Sequence, residues 1–430
     1  MLSMNRSLLW SWTAAVITAL VVVVVLFAPT AGVGARGLVK VEIFSWWTWG
    51  SEADGLKALF QVYEQRHAGV EVVNVATAGS ATTNDMAILT ARMLGGNPPD
   101  SFQAHGGEEL ASTWVTSGYV EPLTSLYERE GWAAVLPKSL LNIVTYKGDQ
   151  YSVPISVHRG NVLWYNKKIL DENKLAPPNS WDEFFKVASA LRAKGITPLA
   201  LGDKNKWEAA HLFEDVLLGA LGPIGYRGLW SGKTSWTGDS ARRALQTYAR
   251  VLDYANPDHA TGTWDSAAQM LIDGKAAMTV MGDWASGYFN SHGWAPGVDY
   301  GYVPAFGSAG AFIVISAAFS LPKRAPHREQ ALNWLRVAGS KEGQEALNPL
   351  KGSFCARIDC DPTKFDGYWQ SAAKDYVKNV LVPSEVHGSA APPPFTVAFN
   401  DIVSQFVSNR DVVAAQSELQ KACSDNKMCP

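Results

Sequence analysis

A short stretch near the start of the chain, FSWWTWGSE from Phe44 to Glu52, concentrates residues that could hold a ligand. Trp46 and Trp47 are adjacent, so on a strand their side chains point to opposite faces, and one core cannot hold both. Tryptophan offers a flat apolar face and an N–H donor, and glutamate offers hydrogen-bond acceptors. The stretch therefore predicts a binding surface at the end of a strand, with core packing as the alternative.

The sequence contains none of the common catalytic motifs. There is no G-x-S-x-G, no H-E-x-x-H, no P-loop and no G-x-G-x-x-G after a strand. His105, His158 and His387 lie far apart in the chain, and only the fold could bring them together. The adjacent Glu108 and Glu109 are more typical of a solvated helix face than of acid–base chemistry. We therefore expect no catalytic residues, no metal site and no cofactor.

Composition places the chain among exported globular proteins. Its 430 residues are enough for two domains of about 150–200 residues each. A net charge of −3 argues against a nucleic-acid partner, which requires a basic surface. Seventeen tryptophans are many for this length, which is consistent with aromatic residues used in binding as well as in the core.

The first 35 residues are organised like a secretory signal peptide. Arg6 precedes an apolar run from about Leu8 to Phe27, and small residues follow as far as Ala35. The run approaches the ~20 residues that span a bilayer, so an uncleaved membrane anchor is the alternative. Either interpretation places the rest of the chain outside the cytoplasm, in the periplasm or at the cell surface.

Four cysteines lie in two closely spaced pairs, Cys355 with Cys360 and Cys423 with Cys429. An even number of cysteines in an exported chain indicates disulfides, and four cysteines allow three pairings. We favour two local bridges, although the sequence does not choose among the pairings. Zinc binding is the alternative, although the spacing matches no common zinc motif.

Periodicity predicts a β-α-β-α-β order at the start of the chain, hence a parallel, doubly wound sheet. Ser51 is the candidate cap of the first helix, and Ser180 with Glu183 forms a candidate capping box farther on. The five predicted elements are GLVKVEIFSWW, SEADGLKALFQVYEQRHAG, VEVVNVA, NDMAILTARMLGGNPPD and SFQAH.

Five segments carry a resemblance to a known family. They are RMLGGNPPDSFQAH, GDQYSVPISVHRGNVLWYNKKIL, SWDEF, DGKAAMTVMGDWASGYF and FSLPKRAPHREQALNWLRVAGSKEGQEALNPLKGSF. In their order and spacing they resemble the extracellular solute-binding proteins of carbohydrate-importing ABC transporters, from about Val39 to the end of the chain. The double tryptophan followed by Glu52 is similar to the branch that binds glucose and galactose.

The resemblance implies an α/β fold of the two-lobe, type II periplasmic-binding-protein kind, with a hinge and an inter-lobe ligand cleft. It divides the chain into a signal peptide at 1–35, lobe 1 at 38–151 and 300–345, and lobe 2 at 152–299 and 346–430. It also implies a mono- or disaccharide ligand and delivery to the transmembrane subunits of an ABC permease. We expect a monomer that meets the membrane through the permease or through an uncleaved N-terminal segment.

The resemblance and the order of elements together give ten candidate ligand-binding residues. They are Trp46, Trp47, Glu52, Gln103, His105, Trp264, Asp283, Trp284, Lys351 and His387. Gln103 and His105 share one side of their strand because strand side chains alternate. Glu52 and Asp283 have an alternative role at the start of a helix, and the remaining candidates could be ordinary core or surface residues. His158 lies on the crossing segment and is expected to be a hinge or rim residue.

One position departs from the glucose-binding branch. Before its SFxLPKGA segment that branch carries an aspartate, where this chain has Ala317 and Ala318. An acceptor for a sugar hydroxyl is therefore expected to be missing, which leaves space for a disaccharide or a differently substituted sugar. Two other functions are alternatives to a transport receptor. A glycoside hydrolase needs two carboxylates about 5–10 Å apart, and a sugar sensor would bind without transport.

Overall fold

The computed structural model describes residues 38–76 and 82–429, so the predicted signal peptide at 1–35 lies outside the described residues. Strands and helices alternate along most of this part of the chain. The strands are Val39–Phe44 (β1), Val70–Asn74 (β2), Ser101–His105 (β3), Thr145–Tyr146 (β4), Asp149–Gln150 (β5), Ser152–Arg159 (β6), Val162–Asn166 (β7), Thr197–Ala200 (β8), Ala276–Val280 (β9), Tyr300–Pro304 (β10), Ala311–Ser320 (β11), Phe354–Cys355 (β12) and Val380–Pro383 (β13).

The helices pack on the two main sheets and on one another. They are Gly50–Arg66 (α1), Thr82–Leu94 (α2), Thr124–Glu130 (α3), Lys138–Val144 (α4), Lys167–Glu172 (α5), Trp181–Arg192 (α6), Trp207–Trp230 (α7), Asp239–Leu252 (α8), Trp264–Ile272 (α9), Trp284–Ser291 (α10), Arg328–Ala338 (α11), Lys341–Lys351 (α12), Gly367–Lys378 (α13), Pro393–Asn409 (α14) and Val412–Asp425 (α15). One turn of π-helix, Glu109–Val115, follows β3. Helix α7 is interrupted at Gly222 and Pro223.

The larger sheet has the order β12-β6-β11-β3-β1-β2, and β13 pairs with β11. The β-α-β-α-β start is confirmed, because β1 lies parallel to both β2 and β3. The sheet as a whole is mixed rather than parallel, since β11 runs antiparallel to β3 and β6. Strand β11 is buried along all ten residues, which matches its almost wholly apolar sequence, AFIVISAAFS.

The smaller sheet has the order β10-β7-β9-β8. Strands β8 and β9 are parallel, whereas β7 is antiparallel to β9 and β10. The chain passes from the larger to the smaller sheet at Gly160–Asn161, between β6 and β7, and returns between β10 and β11. The predicted limits of the two lobes stay a prediction.

Both local disulfides are present, Cys355–Cys360 and Cys423–Cys429, as favoured from the sequence. Ser180 caps α6 as predicted, although Glu183 accepts from Asn179 N rather than from Ser180 N. In the part of the chain that the structure describes, no helix combines the length and apolarity needed to cross a membrane.

Helices α1 and α12 approach closely, and this contact positions part of the site. A Cβ atom at Gly55 would lie 2.8 Å from Leu347 O and 2.8 Å from Lys351 Cβ, so a glycine is needed there. The prediction that Ser51 caps α1 is wrong. The helix begins at Gly50 without a side-chain cap, and Ser51 Oγ instead donates to Lys351 O at 3.3 Å.

We expect Gly55→Ala to lower stability by about 1–3 kcal/mol, because the added methyl forces α12 away from α1. Thermal and denaturant unfolding midpoints measure the effect. Gly367→Ala at the start of α13 is the control, since its added Cβ meets nothing within 4 Å. A Gly55→Ala protein as stable as the control would show that the two helices have room to separate.

Candidate functional site

A cavity of about 680 Å³ opens at the carboxyl ends of β1 and β3, where open α/β sheets commonly bind ligands. Nine of the ten candidate residues line it: Trp46, Trp47, Glu52, Gln103, His105, Trp264, Trp284, Lys351 and His387. The tenth, Asp283, is fully buried and is not among the lining residues. The fold therefore brings together residues spread over more than 300 positions of the sequence.

The two adjacent tryptophans occupy different environments. Trp47 is only 2% exposed and packs its ring edge-on against Phe319. Trp46 is partly exposed, and its ring centroid lies 4.9 Å from that of His105. With the Gln103 amide oxygen directed at them, both indole Nε1–H groups donate to it, each at 3.1 Å. Gln103 therefore fixes the orientation of both tryptophans.

Glu109 holds His105 in place from the π-helical turn after β3. Its carboxylate accepts from the His105 backbone N at 3.0 Å, and its other oxygen lies 2.8 Å from His105 Nδ1. The expectation that Glu108 and Glu109 line a solvated helix face is wrong for Glu109, which is buried. A glutamate four residues after a strand-end histidine is the sequence signal that was missed.

Four side chains are joined by hydrogen bonds, and three of them, Glu52, Lys351 and His158, line one wall of the cavity, whereas Asp283 lies behind them. Lys351 Nζ donates to Glu52 Oε1 at 3.1 Å and lies 2.7 Å from His158 Nε2. His158 Nδ1 lies 2.6 Å from Asp283 Oδ1, and Asp283 Oδ2 accepts from Arg159 N at 2.8 Å. Because the ammonium can only donate, His158 carries its proton on Nδ1 and donates it to Asp283.

Burial and neighbouring charges shift the pKa values of the side chains in this hydrogen-bonded series. Burial lowers the pKa of His158 well below its usual value, and the Lys351 charge acts in the same direction. Burial also lowers the pKa of Lys351, whereas Glu52 and Asp283 act to raise it. Burial raises the pKa of Asp283, opposed by the hydrogen bond from Arg159 N and by Lys351. The Lys351 ammonium also lies 4.4 Å from the centroid of the Trp47 ring.

Aromatic rings form a second wall next to these side chains, since the ring centroids of Trp284 and His158 lie 5.5 Å apart. The structure adds Trp207, which sequence reasoning missed, at 6.2 Å from Trp284 and 5.8 Å from His387 between ring centroids. Trp207, Trp264 and Trp284 are each the first residue of a helix, α7, α9 and α10 respectively. That shared position was visible in the sequence for Trp284 and could have identified Trp207.

The outer end of the cavity is less polar than the end that holds the tryptophans and histidines. It is lined by one face of α2 and one face of α14, and their residues are mainly aliphatic or small: Met86, Ala87, Thr90, Ala91, Leu94, Pro393, Thr396, Val397 and Asn400. None of these was predicted. Helical spacing on an amphipathic helix does not distinguish a face that packs in a core from one that lines a cavity.

The cavity offers flat aromatic faces together with fixed donors and acceptors. Its lining carboxylates, Glu52 and Glu109, both hydrogen-bond to cavity residues, Lys351 and His105. The lining ammonium is balanced by Glu52. This arrangement suits a neutral ligand with apolar faces and polar edges.

Comparison with known proteins agrees with this geometry. The family profile of the bacterial extracellular solute-binding proteins matches residues 49–345. An uncharacterized ABC transporter extracellular-binding protein of Pyrococcus horikoshii is 36% identical over 387 residues, covering 89% of this chain and 87% of the relative. A probable sugar-binding periplasmic protein of Mesorhizobium japonicum is 32% identical over 402 residues, covering 91% of this chain and 95% of the relative.

A solved structure shows the same fold at lower identity. The bacterial solute receptor AcbH superposes with a TM-score of 0.80 at 18% identity, covering 90% of this chain and 99% of that one. This likeness confirms the predicted two-lobe α/β fold. Because the family profile spans more than half of the chain and relatives above 30% identity cover most of it, the chain belongs to the bacterial extracellular solute-binding proteins.

Proposed function

We propose that this protein is a carbohydrate receptor outside the cytoplasm, which closes around a mono- or oligosaccharide and delivers it to the permease of an ABC importer. The observation that carries the proposal is one cavity whose lining includes Trp46, Trp264 and Trp284 together with Glu52, His105 and Lys351. The name of the Mesorhizobium relative, a probable sugar-binding periplasmic protein, supports the same ligand class.

Sugar chemistry accounts for this combination of residues. A pyranose ring has apolar C–H faces, which stack on aromatic planes, and hydroxyl edges, which need partners because a buried unpaired polar group costs about 1–3 kcal/mol. Trp46 and Trp284 provide faces, while Glu52, His105 and His387 provide partners at the rim. Gln103 and Asp283 act mainly behind this layer, because Gln103 bonds the two indoles and Asp283 bonds His158.

Two observations bear on the identity of the sugar: the preference described for AcbH and the alanine at position 317. AcbH is described as having an exclusive preference for β-D-galactopyranose, and the sequence resembles the glucose- and galactose-binding branch. Ala317 lines the cavity and pairs with His105 in the register of β11 and β3. A methyl group there supplies no acceptor, so the proposal favours a ligand larger than one hexose or one substituted on that side.

Transport follows from closure rather than from catalysis. A sugar that contacts both lobes binds the closed state better than the open state and shifts the population towards closure. The permease then recognises the closed form. In this proposal the lobes keep the limits that the resemblance implies, 38–151 with 300–345 and 152–299 with 346–430. The hinge lies beside the first of these boundaries, where the chain crosses between the two sheets at Gly160–Asn161.

Glycoside hydrolysis is the competing activity. It requires one carboxyl group that gives a proton and a second that acts as nucleophile or base. The two carboxylates that line the cavity both hydrogen-bond to neighbouring cavity residues, so the binding function is favoured.

A thermal-shift screen of mono-, di- and trisaccharides tests the function. We expect at least one sugar to raise the unfolding midpoint, because a ligand that binds only the native state stabilises it by mass action. Tryptophan fluorescence should change with the same sugar. No shift across the panel would contradict the carbohydrate class, and release of reducing sugar during incubation would favour the hydrolase.

Trp46→Ala tests the aromatic face. Loss of the stacked ring should weaken binding of the sugar found in the screen at least about tenfold, which corresponds to ~1.4 kcal/mol. Titration calorimetry measures the affinity. Trp294→Ala is the matched control, because Trp294 is partly exposed and does not line the cavity. Equal affinities for the two variants would remove Trp46 from the proposed site.

Ala317→Asp tests the departure from the glucose-binding branch. A carboxylate at this position should accept a hydroxyl hydrogen and raise affinity for D-glucose about tenfold, and Ala317→Asn should give a smaller gain because it lacks the charge. Calorimetry with D-glucose provides the measurement, after circular dichroism shows that both variants fold. Glucose binding that is unchanged or weaker in the aspartate variant would contradict the assigned role of Ala317.

A further inference from the structure

A cluster of buried polar side chains lies behind the aromatic wall of the cavity. Glu214 on α7 accepts from Ser384 Oγ at 2.9 Å with Oε2. Its other oxygen, Oε1, accepts from the Tyr226 hydroxyl and from Glu385 N. Glu214 is fully buried and does not line the cavity, so it can reach the ligand only through another residue.

That other residue is His387, which lines the cavity. His387 Nδ1 lies 2.9 Å from Ser384 Oγ. A serine hydroxyl has one hydrogen, and here it is donated to Glu214, so Ser384 Oγ accepts from His387 Nδ1–H. The proton of the neutral ring therefore sits on Nδ1, and Nε2 carries a lone pair.

His105 also carries its proton on Nδ1, and here a single direct hydrogen bond to a carboxylate fixes the tautomer. Its Nδ1 lies 2.8 Å from Glu109 Oε2, and a carboxylate can only accept, so the ring again carries a proton on Nδ1. The rings of His105 and His387 are edge-to-face, with centroids 6.0 Å apart. Neither Nε2 atom is hydrogen-bonded to another residue in the described part of the chain.

We propose that Glu214, acting through Ser384, is a positioning residue that fixes His387 as a hydrogen-bond acceptor towards the ligand, as Glu109 does for His105. The inference rests on the proposed carbohydrate function and sharpens it. Two acceptors facing one cavity require a ligand that donates from two hydroxyl groups. Ethers, acetals and other groups that only accept hydrogen bonds are disfavoured at these positions.

A metal ion is the other use that this cluster allows. His211, Glu214 and His387 each offer one ligand atom, and these atoms lie within 4.8 Å of one another. However, both oxygens of Glu214 already accept hydrogen bonds and the Nδ1 atom of His387 is bonded to Ser384, which favours the relay. Zinc retained by the untagged protein, measured by elemental analysis, would overturn the relay.

The test uses the isosteric variant Glu214→Gln. The amide oxygen keeps the place that accepts from Tyr226 and Glu385, so the amide NH₂ faces Ser384 and donates to it. The Ser384 hydroxyl must then donate to His387 Nδ1, which moves the ring proton to Nε2. The relay therefore predicts an inverted tautomer, rather than a lost side chain.

Nitrogen NMR of protein labelled with ¹⁵N-histidine measures the tautomer without any sugar. The spectra are recorded at pH 8, because burial raises the pKa of Glu214 to about 7. His387→Gln assigns the signal. Glu208→Gln, on the same helix and also buried, should leave the Nδ1–H tautomer of His387 unchanged. If Glu214→Gln does not fold, Ser384→Ala should give a mixture of tautomers, and a single Nδ1–H form would overturn the relay.

Affinity for the sugar that raises the wild-type unfolding midpoint most in the screen of mono-, di- and trisaccharides provides the second readout. Glu214→Gln replaces the Nε2 acceptor of His387 by an N–H donor, so it should bind this sugar about tenfold more weakly, and Glu208→Gln should bind it as the wild type does. An inverted tautomer with unchanged affinity would overturn the claim that the lone pair faces the ligand. If the wild type bound no sugar, the carbohydrate function would fall while the NMR result still decided the tautomer.

Discussion

The site depends on one buried ammonium group. Lys351 is 1% exposed, and an isolated charge at that depth would cost several kcal/mol in lost hydration. Its partners, Glu52 and His158, come from the start of α1 and from β6, and Asp283 continues the chain from the start of α10. Three separate segments must therefore arrive at the end of α12 together, and the close approach of α1 and α12 at Gly55 makes this possible.

Because Glu52 neutralises the Lys351 charge within the protein, the cavity can be lined with polar groups and still suit an uncharged ligand. The groups that surround it are fixed before a ligand arrives: Gln103 orients two indoles, and Glu109 orients His105. Fixed groups lose little conformational entropy on binding, so more of the interaction energy appears as affinity. The same arrangement explains the adjacent tryptophans. Trp47 packs beneath Lys351 and Phe319, which leaves Trp46 free to face the cavity.

Local sequence patterns correctly predicted individual strands and helices and the residues at their ends. The strand SFQAH was predicted to the residue. Strand ends located Trp46 and His105 at one edge of the larger sheet, and a strand end followed by a helix start located Trp284 after β9 of the smaller sheet. The mixed sheet was missed because β11 joins it from more than 200 residues away. Glu109 was misread because burial is a tertiary property, and the outer faces of α2 and α14 carry no pattern that separates a cavity wall from an ordinary helix face.

The two ends of the cavity therefore have different consequences for specificity. The inner end holds aromatic planes and side chains fixed by hydrogen bonds. A ligand whose hydroxyl is misplaced there leaves a buried polar group without a partner, so it binds much more weakly than the correct ligand. The outer end, between α2 and α14, is mainly aliphatic, and added apolar surface there contributes by area with little directional requirement. Under the proposed carbohydrate function, the inner groups would select the stereochemistry of the first ring. The outer faces would limit the size of whatever is attached to that ring, and the methyl group of Ala317, which supplies no acceptor, would leave room for a ligand larger than a single hexose.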